Sequence, residues 1–168
     1  MKFFYIDDTY ITMLLQHDAS VQQNHGKRPY IGVVLNINGI EYFAPLASPK
    51  PKYYSGSIIY FKIFSHGTKA KLLGVIKLNC MIPVPKQYLK SVLIDTNTPY
   101  GLLLASQHRY IKSKQDAIKK EAHTLHHLVV EKKETHLVKM CCNYVLLEEK
   151  MTEHMQVLNN AKKSKSSY

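Results

Sequence analysis

The order of apolar and polar positions divides this chain into a short opening helix, a series of strands and a closing series of helices. After Asp7 or Asp8, either able to act as N-cap, Ile11, Leu14 and Leu15 recur at helical spacing through "DDTYITMLLQHD", which predicts a helix with Tyr10 in its first turn. The polar loop "VQQNHGKR" leads into "PYIGVVLNINGIEYFAPL", two β-branched apolar runs joined at Asn38-Gly39. This is the strongest local signal in the chain, a β-hairpin. "GSIIYFKIF" and "KLLGVIKLN" predict two more strands, linked through "SHGTK". The prolines of "MIPVP" cannot donate to a ladder and end regular pairing there, and "QYLKSVLI" fits either a last strand or a helix.

From Thr98 the period changes. Thr98 as N-cap and Pro99 at the first helical position open a helix through "YGLLLASQHRYIKSK". In the next helix Ile118, Ala122, Leu125 and Val129 share one face with lysines opposite, so that face packs on the sheet. A third begins near Asn143 and carries "YVLLEEKMTEHMQVL"; the closing "NNAKKSKSSY" reads as a flexible basic tail. Strands before helices predict an α+β fold with a mainly antiparallel sheet rather than alternating βαβ units. With no repeat or low-complexity linker, residues 1–158 are expected to form one domain and 159–168 its tail.

Charge narrows the partners. Lys and Arg number 23 against 12 acidic residues, a formal +11 with a pI near 9.5. Such a field recruits polyanions, and nucleic acid leads because neutralised phosphates release counterions. A membrane partner would call for a basic amphipathic segment, which is not found. No apolar run approaches the ~20 residues of a membrane span, and "MKFFYIDD" reaches acids too early for a signal peptide, so a cytoplasmic location is expected. Cys141 and Cys142 are neighbours and the cysteine count is odd, which favours buried thiols over disulfides or a cysteine zinc site. GxGxxG and Walker patterns are absent, and no cofactor is expected.

Candidate chemistry concentrates in "YFAPLASPKPKYY", residues 42–54, where an apolar strand runs into a proline-bounded cationic turn. Pro49 and Pro51 restrict the backbone, limiting the freedom of the Ser48 hydroxyl and the Lys50 and Lys52 ammonium groups. Counting outward from Asn38-Gly39 sets Tyr30 opposite roughly Ala47, within a single-residue bulge, and brings Lys27 and Arg28 towards Ser48 and Lys50. Cations and a hydroxyl donor gathered in this way suit the phosphorane of RNA transesterification, since RNA supplies its own 2′-hydroxyl nucleophile. The same stretch also fits an ordinary exposed turn. Tyr53 and Tyr54 are candidates either for base stacking or for packing at the sheet edge. His123, His126 and His127 lie at helical spacing without the glutamate of H-E-x-x-H, the pattern of a solvated or packed face rather than a metal site. Lys162, Lys163 and Lys165 read as solvated, or as an arm on phosphates.

"FYIDDTYITML", "RPYIGVVLNINGIEYFAPLASPK", "LGVIKLNCMIPVP", "NTPYGLLLASQHRYIK" and "CNYVLLEEK", at their present spacing, resemble the ToxN/AbiQ family of type III toxin–antitoxin systems from about residue 3 to residue 150. The resemblance implies a strongly twisted antiparallel sheet related to the MazF/Kid toxin fold, with an SH3-like barrel core flanked by α-helices. It also implies a metal-independent endoribonuclease acting on cellular or phage RNA in abortive infection and leaving 2′,3′-cyclic phosphate ends. The implied partner is a small, pseudoknot-like RNA antitoxin, processed from a tandem-repeat precursor and held in a closed protein–RNA hetero-oligomer. The family's Thr-Ser-Pro-Lys motif falls on Ala47, Ser48, Pro49 and Lys50, with alanine in place of the usual threonine; its N-terminal tyrosine falls on Tyr10 and its basic residue before the first strand on Arg28, next to Lys27. Ser48, Lys50, Arg28 and Tyr10 are thus the expected catalytic set. Lys27, Tyr30, Ala47, Lys52, Tyr53, Gln107, His108 and Tyr110 are expected to contact RNA, although helix packing serves equally for Tyr110. A non-catalytic basic RNA-binding module is the alternative reading.

Overall fold

The computed structural model describes residues 1–23 and 25–165. Among the described residues, seven strands and five α-helices follow in the order β1 (Lys2–Ile6), α1 (Asp8–Leu15), β2 (Tyr30–Ile37), β3 (Ile40–Ala47), β4 (Tyr60–Phe64), β5 (Leu72–Lys77), β6 (Ile82–Pro83), β7 (Leu89–Ser91), α2 (Pro99–Ser113), α3 (Gln115–Val130), α4 (Thr135–Met140) and α5 (Tyr144–Lys165). The sheet runs β4-β5-β3-β2-β1-β7, antiparallel at every pairing, with β6 added to β3. Its path is open, ending at β4 and β7. Helix α2 lies against β4 and β5, α3 against β2, and α5 against β6 and α1.

Local signals account for most of these elements. Asp7 caps α1 by accepting from the Thr9 amide at 2.9 Å, and Thr98 caps α2 by accepting from the Gly101 amide at 3.0 Å. Asn38 and Gly39 both take positive φ, 52° and 84°, as a two-residue hairpin turn requires. "QYLKSVLI" resolves as a single 3₁₀ turn, Lys86–Tyr88, followed by strand β7.

Four features depart from the sequence reading. Strand β1 went unseen because it buries only Phe3 and Ile6, without alternation; β2 on one side and β7 on the other hold it in place. "MIPVP" does not end pairing outright, since Ile82 and Pro83 lie opposite Phe43 and Tyr42 of β3. The short helix α4 has no counterpart in the pattern, and α5 continues through 159–165, where a tail was expected. Residues 166–168 of that expected tail lie outside the described residues.

One core fills the space between sheet and helices, and it contains four fully buried tyrosines. Each phenol has a partner: Tyr10 donates to the Pro83 carbonyl (2.7 Å), Tyr30 to Gln22 (2.6 Å), Tyr144 to Leu78 (3.0 Å), and Tyr42 to Glu148 Oε1 (2.5 Å). Burial of an aromatic ring is favourable only when its polar tip is satisfied, so these bonds tie the loops and α5 to the sheet. Cys80, Cys141 and Cys142 are free, buried thiols, as their spacing suggested. Among the described residues no helix is long and apolar enough to cross a membrane.

Candidate functional site

The hairpin register decides what meets at the end of β3. Ile37, Asn36 and Leu35 face Ile40, Glu41 and Tyr42; Gly32, Ile31 and Tyr30 then face Phe43, Ala44 and Pro45. Val33 and Val34 are therefore extra residues in β2. This two-residue bulge, larger than the one allowed for from the sequence, shifts Tyr30 from Ala47 to Pro45. The Leu46 amide donates to the Pro29 carbonyl at 3.1 Å, so the next residue outward, Arg28, comes alongside Ala47 and Ser48.

Those residues form one wall of a narrow groove of about 40 Å³. Arg28, Pro29, Leu46, Ala47 and Ser48 line the hairpin side; Leu73 of β5 and Tyr100, Leu103, Leu104 and Gln107 of α2 line the other. Strand β3 continues onto β5, Leu46 opposite Ile76 and Ala47 opposite Val75, which brings β5 and the helix above it to the serine. Gln107, 4% exposed, donates through Nε2 to the Leu73 carbonyl at 2.9 Å and anchors α2 there.

The cationic turn is rooted rather than loose. After Ser48, Pro49 and Lys50, all exposed, Pro51–Tyr53 makes a single 3₁₀ turn closed by the Tyr53 amide on the Lys50 carbonyl at 2.9 Å. Tyr53 is buried in a small cluster with Ala47 and Val75 and meets Tyr60 edge-on at 4.6 Å. The Lys52 ammonium stands 5.4 Å from its ring centroid. The Arg28 guanidinium acts on two phenols: burial raises the pKa of both Tyr53 and Tyr100, and the nearby positive charge offsets part of each rise. Lys50 does not line the groove; it lies two residues beyond Ser48, exposed.

Several expected site residues lie elsewhere. Tyr10 is 1% exposed, bonded to Pro83 and stacked on Tyr88 at 4.6 Å, and does not line the groove. Burial raises its phenol far above the usual range. Tyr30 is buried for the same kind of reason, its hydroxyl committed to Gln22. Tyr53 packs instead of presenting a face, while Tyr54 is exposed. His108, one residue after Gln107, turns to a different face of α2, contacting the Met1 carbonyl at 3.0 Å and meeting Phe3 in a T-shaped pair. Tyr110 packs edge-on against Phe64. Lys27 and Lys52 are exposed; Lys27 directly precedes the groove residue Arg28, its carbonyl accepting from the Tyr100 hydroxyl at 3.2 Å, whereas Lys52 lies four residues beyond Ser48.

Tyr100 was not singled out from the sequence. Its one sequence cue is its place directly after the N1 proline of α2, at a legible helix start. Among the described residues no three His, Cys, Asp or Glu side chains gather as a metal-ligand group. The histidine series of α3 separates, with His126 buried and stacked on Tyr144, His127 paired with Glu131 at 3.1 Å, and His123 exposed.

Comparison with known proteins gives a consistent result. The family described as toxin ToxN of the type III toxin–antitoxin system matches residues 2–152. Endoribonuclease ToxN of Pectobacterium atrosepticum is 34% identical over 161 residues, which span 89% of this chain and 91% of that protein. A solved structure of AbiQ, a lactococcal anti-phage endoribonuclease of the type III toxin–antitoxin system, superposes with a TM-score of 0.84 at 28% identity, covering 92% of this chain and 98% of the other. Another, from work on selective toxin inhibition by a non-coding RNA pseudoknot in type III systems, superposes with a TM-score of 0.82 at 32% identity, covering 92% and 97%.

Proposed function

Because the chain belongs to the ToxN toxin family of type III toxin–antitoxin systems, we propose that it is an endoribonuclease toxin that cleaves RNA by transesterification at the groove between the end of β3 and α2. The observation that carries this reading is that Arg28, just before β2, and Ser48, just after β3, line a single groove wall at the open end of one hairpin.

In the proposed reaction the 2′-oxygen of the substrate attacks the adjacent phosphorus. A 2′-O–P bond forms, the P–O5′ bond breaks, the 2′-hydroxyl proton is lost and the leaving 5′-oxygen gains one, giving 2′,3′-cyclic phosphate and 5′-hydroxyl ends. Ser48 donates to a non-bridging oxygen, and the Arg28 fork neutralises the charge that grows on the phosphorane. Lys50, on the same restrained turn, is the second cation. Tyr10 acts only through the scaffold, by tying α1 to β6. No metal ion takes part in this scheme.

The inhibitor fits the same chemistry. A folded, pseudoknot-like RNA with single-stranded ends would present phosphates to the groove while spreading its charge over a surface of net +11. The reading includes processing of a tandem-repeat RNA precursor by the same cleavage, a closed protein–RNA hetero-oligomer, and release of the toxin against phage or cellular RNA in abortive infection. It is supported by the relatives' names, endoribonuclease ToxN and AbiQ, and by the pseudoknot inhibition described for the solved toxin.

One assay tests the chemistry. Purified protein is incubated with single-stranded RNA in EDTA, and the product ends are examined. Cyclic phosphate ends are expected from wild type, with a rate about 100- to 1000-fold lower for Ser48→Ala. RNA that binds wild type and stays intact would leave only a basic RNA-binding module.

A further inference from the structure

The groove is lined by residues of two kinds. Arg28 and Ser48 share the lining with Leu73, Leu103 and Leu104, which are apolar, and with Tyr100, the one aromatic ring that lines the groove among the described residues. Charge and a hydroxyl suit a phosphate, whereas an apolar wall with a planar ring suits the face of a nucleobase.

The start of α2 sets the position of this ring. A Cβ on Gly101 would fall 1.7 Å from the Asp95 carbonyl oxygen, so only glycine lets the preceding turn fold against the first turn of α2. Thr98 and Pro99 then fix the helix start with Tyr100 at its second residue. Tyr100 is 45% exposed, and its hydroxyl reaches across to the carbonyl of Lys27, next to Arg28. With the ring so tethered, the groove holds about 40 Å³.

We propose that Tyr100 is a specificity-determining residue, which leaves the Lys27 carbonyl and stacks on the nucleobase beside the scissile phosphate. The inference rests on the cleavage reading above for the identity of that phosphate, and on the groove itself for the stacking. Tyr53 and Tyr110 do not compete for this role, because one is buried beneath the turn and the other packs on β4.

The test separates the ring from its hydroxyl. Variants Y100F, Y100L and Y100A are mixed with fully 2′-O-methylated single-stranded oligonucleotides, which lack the nucleophile and report binding alone, each with 2-aminopurine at one position. Wild type and Y100F are expected to quench the fluorophore at one defined position. Y100L and Y100A are expected to lose that quenching and bind roughly 10- to 100-fold more weakly. On cleavable mixed-sequence RNA, Y100A is expected to raise KM and broaden the choice of cleavage site more than it lowers kcat. Thermal melts confirm folding.

Quenching by Y100L equal to wild type, or no quenching by wild type, overturns the stacking role. If wild type cleaves no RNA, the reaction fails as a reading while the quenching series still decides Tyr100. If wild type cleaves and Y100L cuts the same sites with the same KM, Tyr100 alone is eliminated.

Discussion

Gln107 occupies the space that a side chain on residue 74 would need: a Cβ built on Gly74 would stand 2.8 Å from Gln107 Nε2 and 2.8 Å from the Ala47 carbonyl oxygen. The close approach lets α2 settle on β5 and reach the end of β3, so the groove depends on a missing side chain. Gly74→Ala is expected to destabilise the fold by about 1–3 kcal/mol through overpacking. It should also lower the cleavage rate of the protein that remains folded. Denaturant unfolding together with cleavage below the transition measures both; an unchanged rate would detach α2 from the site.

The Gln107 amide itself is predicted to be structural. Gln107→Met keeps the volume and removes the bond to the Leu73 carbonyl, leaving a part-buried acceptor without this partner at a cost of about 1 kcal/mol. Urea unfolding gives the value, and a change below a few tenths of a kcal/mol would show that water replaces the amide.

Tyr10 separates scaffold from chemistry. Because its hydroxyl is spent on Pro83 inside the core, Tyr10→Phe is expected to cost about 1–3 kcal/mol of stability and to change the cleavage rate of folded protein far less than Ser48→Ala does. A loss of rate equal to that of Ser48→Ala, with stability intact, would return Tyr10 to the catalytic set.

Stability should fall on mild acidification because of His126. Burial holds its imidazole below the ordinary value of 6.5, partly opposed by Glu148. The unfolded chain therefore takes up the proton first, and the contribution is complete above about pH 6.5 and lost as pH drops towards the folded value. His126→Phe, which keeps a ring against Tyr144, should flatten the dependence of thermal midpoint on pH in this window. An equally steep slope in the variant would assign it to other groups.

Binding of the RNA inhibitor should weaken steeply with salt. Each phosphate neutralised by a lysine or arginine releases counterion, so affinity is expected to fall by several orders of magnitude from ~50 to ~200 mM salt if six or more phosphates are engaged. Titration across that range gives the slope, and a flat response would mean that contacts other than charge dominate.

The chain by itself determined the α+β order, the hairpin turn at Asn38-Gly39 and the caps of α1 and α2, since each depends on residues close in sequence whose backbone preferences agree. Ser48 and its proline-bounded turn were legible for the same reason. The approach of Arg28 to that serine was legible from the hairpin as well, but tertiary structure alone decided the register and what lies across the groove. The extra residues Val33 and Val34 moved Tyr30 from Ala47 to Pro45, and a bulge of that size leaves the apolar pattern of both strands unchanged; α2 brought Tyr100 to the other wall. Tertiary structure also separated the buried tyrosines from Tyr100. Tyr10, Tyr30 and Tyr53 differ from Tyr100 only in what packs around them, and a phenol serves equally well as a core residue with a bonded tip or as a platform open to solvent.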